Sequence, residues 1–135
     1  MEFEDIWIKI DPKKFIPDDG KETSLAALVE GEWKAAIIYE GMSKRCKGRE
    51  AAKEFIVLSR NKLELLKEMR AEYFIVTGIK IERPKCQLYS PTVENLREMY
   101  LYEKSVAEIY QQNTEVCELA KSAATLLKNL ITAGI

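Results

Sequence analysis

The chain has no histidine, so any reaction it carries must fall to carboxylates, lysines, tyrosines or a carboxylate-held metal. Ser-His-Asp and Cys-His catalysis, HExxH zinc sites and histidine pH switching are excluded together. One basic group stands out by spacing. Lys44, Arg45, Lys47, Arg49, Lys53 and Arg60 could grip phosphates, with a neighbouring aromatic stacking on a base; the alternative is a solvated basic loop on a near-neutral protein. Cys46 sits among four of these cations, which favours its thiolate, but no general base accompanies it. Tyr100, Tyr102 and Tyr110 recur at helical spacing and read as packing at the rim of a helix interface, while Trp7 and Trp33 read as core or hairpin packing. GxGxxG and Walker loops are absent, and only six glycines are available to build one.

The elements that must position these residues are bounded by composition. With 135 residues, 47% of them apolar and 32% charged, and a formal charge of -1, the chain reads as globular and soluble. Cys46, Cys86 and Cys117 match neither a zinc knuckle nor an even disulfide count, so reduced thiols and a cytoplasmic location are expected. The acidic start MEFEDIWIKI is unlike a signal peptide, and no apolar run approaches the ~20 residues of a membrane span. Charge is uneven: residues 1–40 hold ten acids and five bases, and residues 41–70 hold nine bases and four acids.

Asp5 to Ile10 alternates with Ile6, Ile8 and Ile10 on one face and reads as a strand stopped by Asp11-Pro12, with a loop following to Ser24. Ser24 to Tyr39 fits one helix, but Gly31 interrupts it. A hairpin turning at Glu30-Gly31, with Trp33 to Tyr39 extended, is the preferred reading. Phe55 to Leu58 is ambiguous between helix and strand. Asn61 has the spacing of a capping box for a helix over 62–71, and Tyr73 to Ile81 reads as the clearest strand. Beyond Ser90-Pro91 a helix runs towards Gly134 with one weak spot at Asn113-Thr114. Its stripe of Val106, Ile109, Asn113, Val116, Ala120, Ala123, Leu127 and Leu130 needs covering, either by a fold-back at Asn113 or by a homodimer through this helix.

Phe55 to Leu66, Tyr73 to Ile79, Pro84 and Leu88 to Pro91 together resemble the end of small Mrr-type restriction-endonuclease-like domains. In those domains an apolar strand ending in Ser or Thr and Asn opens a helix, and a Tyr-led strand follows. The resemblance implies a mixed sheet and a signature of Asp followed by Glu-x-Lys, which holds Mg²⁺ and activates water against a phosphodiester. Two placements meet it. Asp18 and Glu32 would ligate the metal with Lys34 polarising the phosphate, or Glu40 would take the glutamate position with Met42 and Lys44 following.

The expected architecture is therefore α/β. A mixed β-sheet flanked by helices occupies residues 1–90, and residues 91–135 form a long C-terminal helix or helical hairpin that packs on it or dimerises. The expected function is nucleic-acid binding, with Mg²⁺-dependent phosphodiesterase activity if the site is intact and no cofactor otherwise. The alternative, from a different class, is a non-catalytic interaction or assembly subunit of a viral or host-defence complex.

Overall fold

The computed structural model describes residues 21–134, and among them the chain is helical, with no strand. The four helices are α1 (Lys21–Arg45), α2 (Arg49–Thr77), α3 (Val93–Ile109) and α4 (Thr114–Thr132). The mixed sheet expected for residues 1–90 is thus replaced, where the chain is described, by two helices and an irregular segment that follows them from residue 78. Trp33 to Tyr39 and Glu30-Gly31 lie inside α1, Phe55 to Leu58 and the 62–71 segment lie inside α2, and Tyr73 to Thr77 close α2. The strand proposed for Asp5 to Ile10 and most of the loop after it lie outside the described residues.

The physical reason for the misreading is burial. Every residue from Gly31 to Tyr39 is buried, so α1 is covered around its whole circumference at that level. A fully covered helix loses the 3.6-residue alternation, and a short apolar run then looks the same as a buried strand. The end of α2 misleads differently, because Phe74, Ile75 and Val76 are β-formers that stay exposed on the helix surface.

Helix ends follow local chemistry. Gly78 caps α2 in the left-handed conformation at φ 73°, its N–H donating to the Phe74 carbonyl at 2.7 Å. Thr92 Oγ1 accepts the Asn95 N–H at the start of α3, and Asn113 Oδ1 accepts the Val116 N–H at the start of α4. The weak spot at Asn113 is therefore a true break, and the C-terminal segment is a hairpin. Its stripe turns inward: Val106, Val116, Ala120, Ala123, Leu127 and Leu130 are buried in the core shared by the four helices. The apolar face that called for a second chain is covered within this one.

Both hairpins are antiparallel. Ser43 Oγ donates to the Ala52 carbonyl and Ser59 Oγ to the Ala36 carbonyl across α1 and α2, and Cys117 Sγ reaches the Ala107 carbonyl across α3 and α4. Glu54 shares a surface groove with Thr125 and Asn129, and Glu68 shares another with Glu115, so α2 and α4 also run in opposite directions. It follows that α3 runs parallel to α2, and residues 78–92 must carry the chain from one end of the bundle to the other. A 29-residue helix is about 43 Å long. Fifteen extended residues reach about 50 Å. Leu88, against Gly41 near the end of α1, marks the far end of that crossover. A four-helix bundle with a single long crossover is a known connectivity, the one ferritin-like folds use. No helix among the described residues is long and apolar enough to cross a membrane.

Candidate functional site

Five polar side chains meet at the centre of the bundle. Lys62, from the middle of α2, places its ammonium 2.5 Å from Glu32 Oε2 on α1 and 2.7 Å from Glu103 Oε1 on α3. Tyr39 donates to Glu103 Oε2 at 2.5 Å, and Tyr102 donates to Glu32 Oε1 at 3.2 Å. The ammonium also lies 5.8 Å from the centre of the Tyr102 ring, within cation–π range. All five residues are at most 1% exposed. Two carboxylates and one ammonium, held by two phenols, form a closed set with one excess negative charge.

That excess shows in the titration of the cluster. Burial pushes the Glu103 carboxyl up to about 7; Lys62 opposes the rise and Glu32 adds to it. Burial alone would lower Lys62, but Glu103 and Glu32 outweigh it and hold the ammonium above the ordinary lysine value. Tyr39 and Tyr102 are raised well above a free tyrosine, first by burial and then by the carboxylates beside them. A lysine this strongly protonated cannot act as a base or nucleophile near neutrality.

The two hairpins repeat one another around this centre. Glu32-Trp33-Lys34-Ala35-Ala36-Ile37-Ile38-Tyr39 matches Glu103-Lys104-Ser105-Val106-Ala107-Glu108-Ile109-Tyr110 at Glu, the second Ala, the second Ile and Tyr. One cross-helix contact repeats as well. Ser59 bonds to the Ala36 carbonyl, and Cys117 bonds to the equivalent Ala107 carbonyl. By that register Lys62 on α2 corresponds to Ala120 on α4. An approximate two-fold axis thus passes between two glutamates, and a single lysine from one hairpin serves both.

Carboxylate bundles that hold metals use glutamates from two helices plus Glu-x-x-His motifs from the other two. Here the inward residues of α2 and α4 at the level of the glutamates are Lys62 and Ala120, so the ammonium stands where a cation would be ligated. No group of three or more His, Cys, Asp or Glu able to hold a metal exists among the described residues.

Among the described residues, Glu32, Lys34 and Glu40 take different partners. Glu32 and Lys34 are two positions apart on α1 and therefore on different faces of the helix. Glu32 points to Lys62, whereas Lys34 pairs with Glu30 at 3.3 Å and lies close enough to Cys86 to offset part of the rise that burial imposes on that thiol. Asp18 lies outside the described residues. Glu40 forms a surface ion pair with Lys44 at 3.2 Å. With Glu32 committed to Lys62 and Tyr102, and Lys34 turned away, these two residues do not fit the Mg²⁺ site that the resemblance implies. The strand-helix-strand unit on which that resemblance rested is occupied by α2 and the start of the crossover.

The basic residues are exposed, as a binding surface requires. Lys44, Arg45, Lys47 and Arg49 surround the Cys46–Gly48 turn between α1 and α2; Lys53 lies one turn along α2 and pairs loosely with Glu50, and Arg60 lies further down the helix. Trp33 is buried under Arg70, whose guanidinium lies 4.2 Å from the ring centre. Lys62 and Glu103 escaped notice in the sequence because each looks like an ordinary charged residue of an amphipathic helix. The repeat of Glu-x6-Tyr at Glu32 and Glu103 was the available signal.

Comparison of the chain with protein-family models, curated proteins and solved structures returned no match.

Proposed function

We propose that this protein is a non-catalytic binding subunit, a helical scaffold that works through its outer surface. The observation that carries the reading is the closure of the polar centre. The cluster richest in acid-base side chains is sealed at 1% exposure or less, with both carboxylates engaged by Lys62 and the two phenols, and burial at that depth leaves no path for substrate to reach them. Its role is then to fix which helix faces which. In some proteins a buried charge network of this kind specifies one arrangement more than it adds net stability, since an incorrect packing would strand a charge, and we assign that part to this cluster.

A second reading, binding of a polyanion such as nucleic acid, is favoured by the four exposed cations at the Cys46–Gly48 turn. Incubation with plasmid and with single-stranded RNA in Mg²⁺ or Mn²⁺ tests the first reading. No cleavage is expected, and cleavage abolished by Glu32→Gln would overturn it. A salt titration of nucleic-acid affinity tests the second. Four phosphate contacts on duplex DNA would give a log–log slope near -3.6, following about -0.9 per neutralised phosphate. A flat response would remove the polyanion reading and leave the scaffold.

A further inference from the structure

We infer that the groove between α3 and α4 binds a purine nucleotide, with the base against Tyr100 and Ala124 and the phosphate between Lys104 and Lys121. The inference goes beyond both functional readings above and needs neither. The groove has a volume of about 880 Å³ and is lined by α3 and α4 alone; small-molecule sites of this size are common. Buried Ala107 and Ala124 form its floor, and its rim carries Tyr100, Lys104, Lys121 and Lys128. The three lysines are exposed and form no ion pair among the described residues.

The first hairpin explains why the groove is there and what shape fits it. The register that pairs Glu32 with Glu103 and Ser59 with Cys117 makes Lys104 the counterpart of Trp33, Ala124 of Leu66 and Lys128 of Arg70. The stagger between helices is kept, because Ala36 meets Ser59 as Ala107 meets Cys117. Between α1 and α2 the space is filled: Trp33 is buried, with the Arg70 guanidinium 4.2 Å from its ring centre. Between α3 and α4 a flexible lysine replaces the indole, an alanine the leucine and a second lysine the arginine, and the groove results. A purine is a fused bicyclic ring close to an indole in size. Tyr100 offers it a stacking face, and Lys128 a cation over the ring as Arg70 does for Trp33. The three lysines add a demand for negative charge, which a phosphate meets. Glu108 and Glu118 line the end beside the α3–α4 turn, so an anionic group is held at the lysine end.

Titration of the isotope-labelled full chain with AMP, followed by amide NMR shifts, tests the inference. The shifts should saturate with a dissociation constant below about 1 mM and centre on α3 and α4 around Tyr100, Lys104 and Lys121. Inorganic phosphate and adenosine, each lacking part of the ligand, should bind at least tenfold more weakly. Lys104→Trp with Ala124→Leu, which carries the packing of the first hairpin into the second, should abolish the shifts while far-UV circular dichroism stays helical. Lys121→Glu, on the exposed rim and no burden on the core, should weaken AMP at least tenfold. AMP shifts that never saturate, that are unchanged in either variant, or that inorganic phosphate reproduces at the same affinity would overturn the inference. So would shifts confined to the Cys46–Gly48 turn, since binding would then belong to the polyanion reading.

Discussion

Lys62 decides the character of the interior. Its removal leaves Glu32 and Glu103 facing each other at full burial, and breaking a buried pair in this way costs about 3–5 kcal/mol. Lys62→Met should therefore lower unfolding free energy by that amount at pH 7.5 in urea titration, and by less at pH 5, where protonated carboxyls no longer repel. The wild type has its own pH dependence. Glu103 is raised from its ordinary 4.5 to about 7, so the folded chain holds a proton that the unfolded chain has released. Stability from this group is present below pH 4.5 and is lost as pH rises towards 7, by roughly 3 kcal/mol at about 1.36 kcal/mol per pKa unit. Glu103→Gln, which keeps an acceptor for Tyr39 and removes the titration, should flatten the fall between pH 5 and pH 7.5. Above pH 10 the raised Tyr39 and Tyr102 add a further loss, because the unfolded tyrosines ionise first.

At the scale of elements, two local features are open to measurement. Asn113 caps α4 through the Val116 N–H, and Asn113→Ala should cost about 1 kcal/mol, seen as a lower urea midpoint. Gly41 lies inside α1 where the crossover passes; an added Cβ would stand 2.9 Å from Leu88 Cδ2. That atom ends a flexible, half-exposed side chain that can turn outward, so Gly41→Ala should raise stability by about 0.5–1 kcal/mol through helix propensity. A loss instead would show that Leu88 is held tightly against α1. Helix ends of this kind were partly legible in the sequence: Ser90-Pro91 marked the approach to α3, whose cap is Thr92, and Asn113-Thr114 was the weak spot at which a fold-back was one of two readings. The interiors of α1 and α2 were not, because Ala35-Ala36-Ile37-Ile38-Tyr39 is covered on every side and carries no helical period.

For the whole molecule, the candidate site was half legible. Glu32 was singled out from sequence, but beside Lys34, its neighbour along the chain, when its partner in space is Lys62, thirty residues on. Periodicity reports which face of a helix is apolar and says nothing of which buried charge on another helix completes a pair. That pairing required the arrangement of two hairpins across a two-fold axis, and the same arrangement explains why one lysine suffices for two glutamates. The central claim is that this lysine ties the first hairpin to the second. A double-mutant cycle in urea between Lys62→Met and Glu103→Gln measures that tie directly, since residues in one buried ion network couple by about 0.5–3 kcal/mol. We expect a coupling of about 2 kcal/mol or more; additive effects within ~0.5 kcal/mol would mean that Lys62 and Glu103 do not meet and would contradict the account.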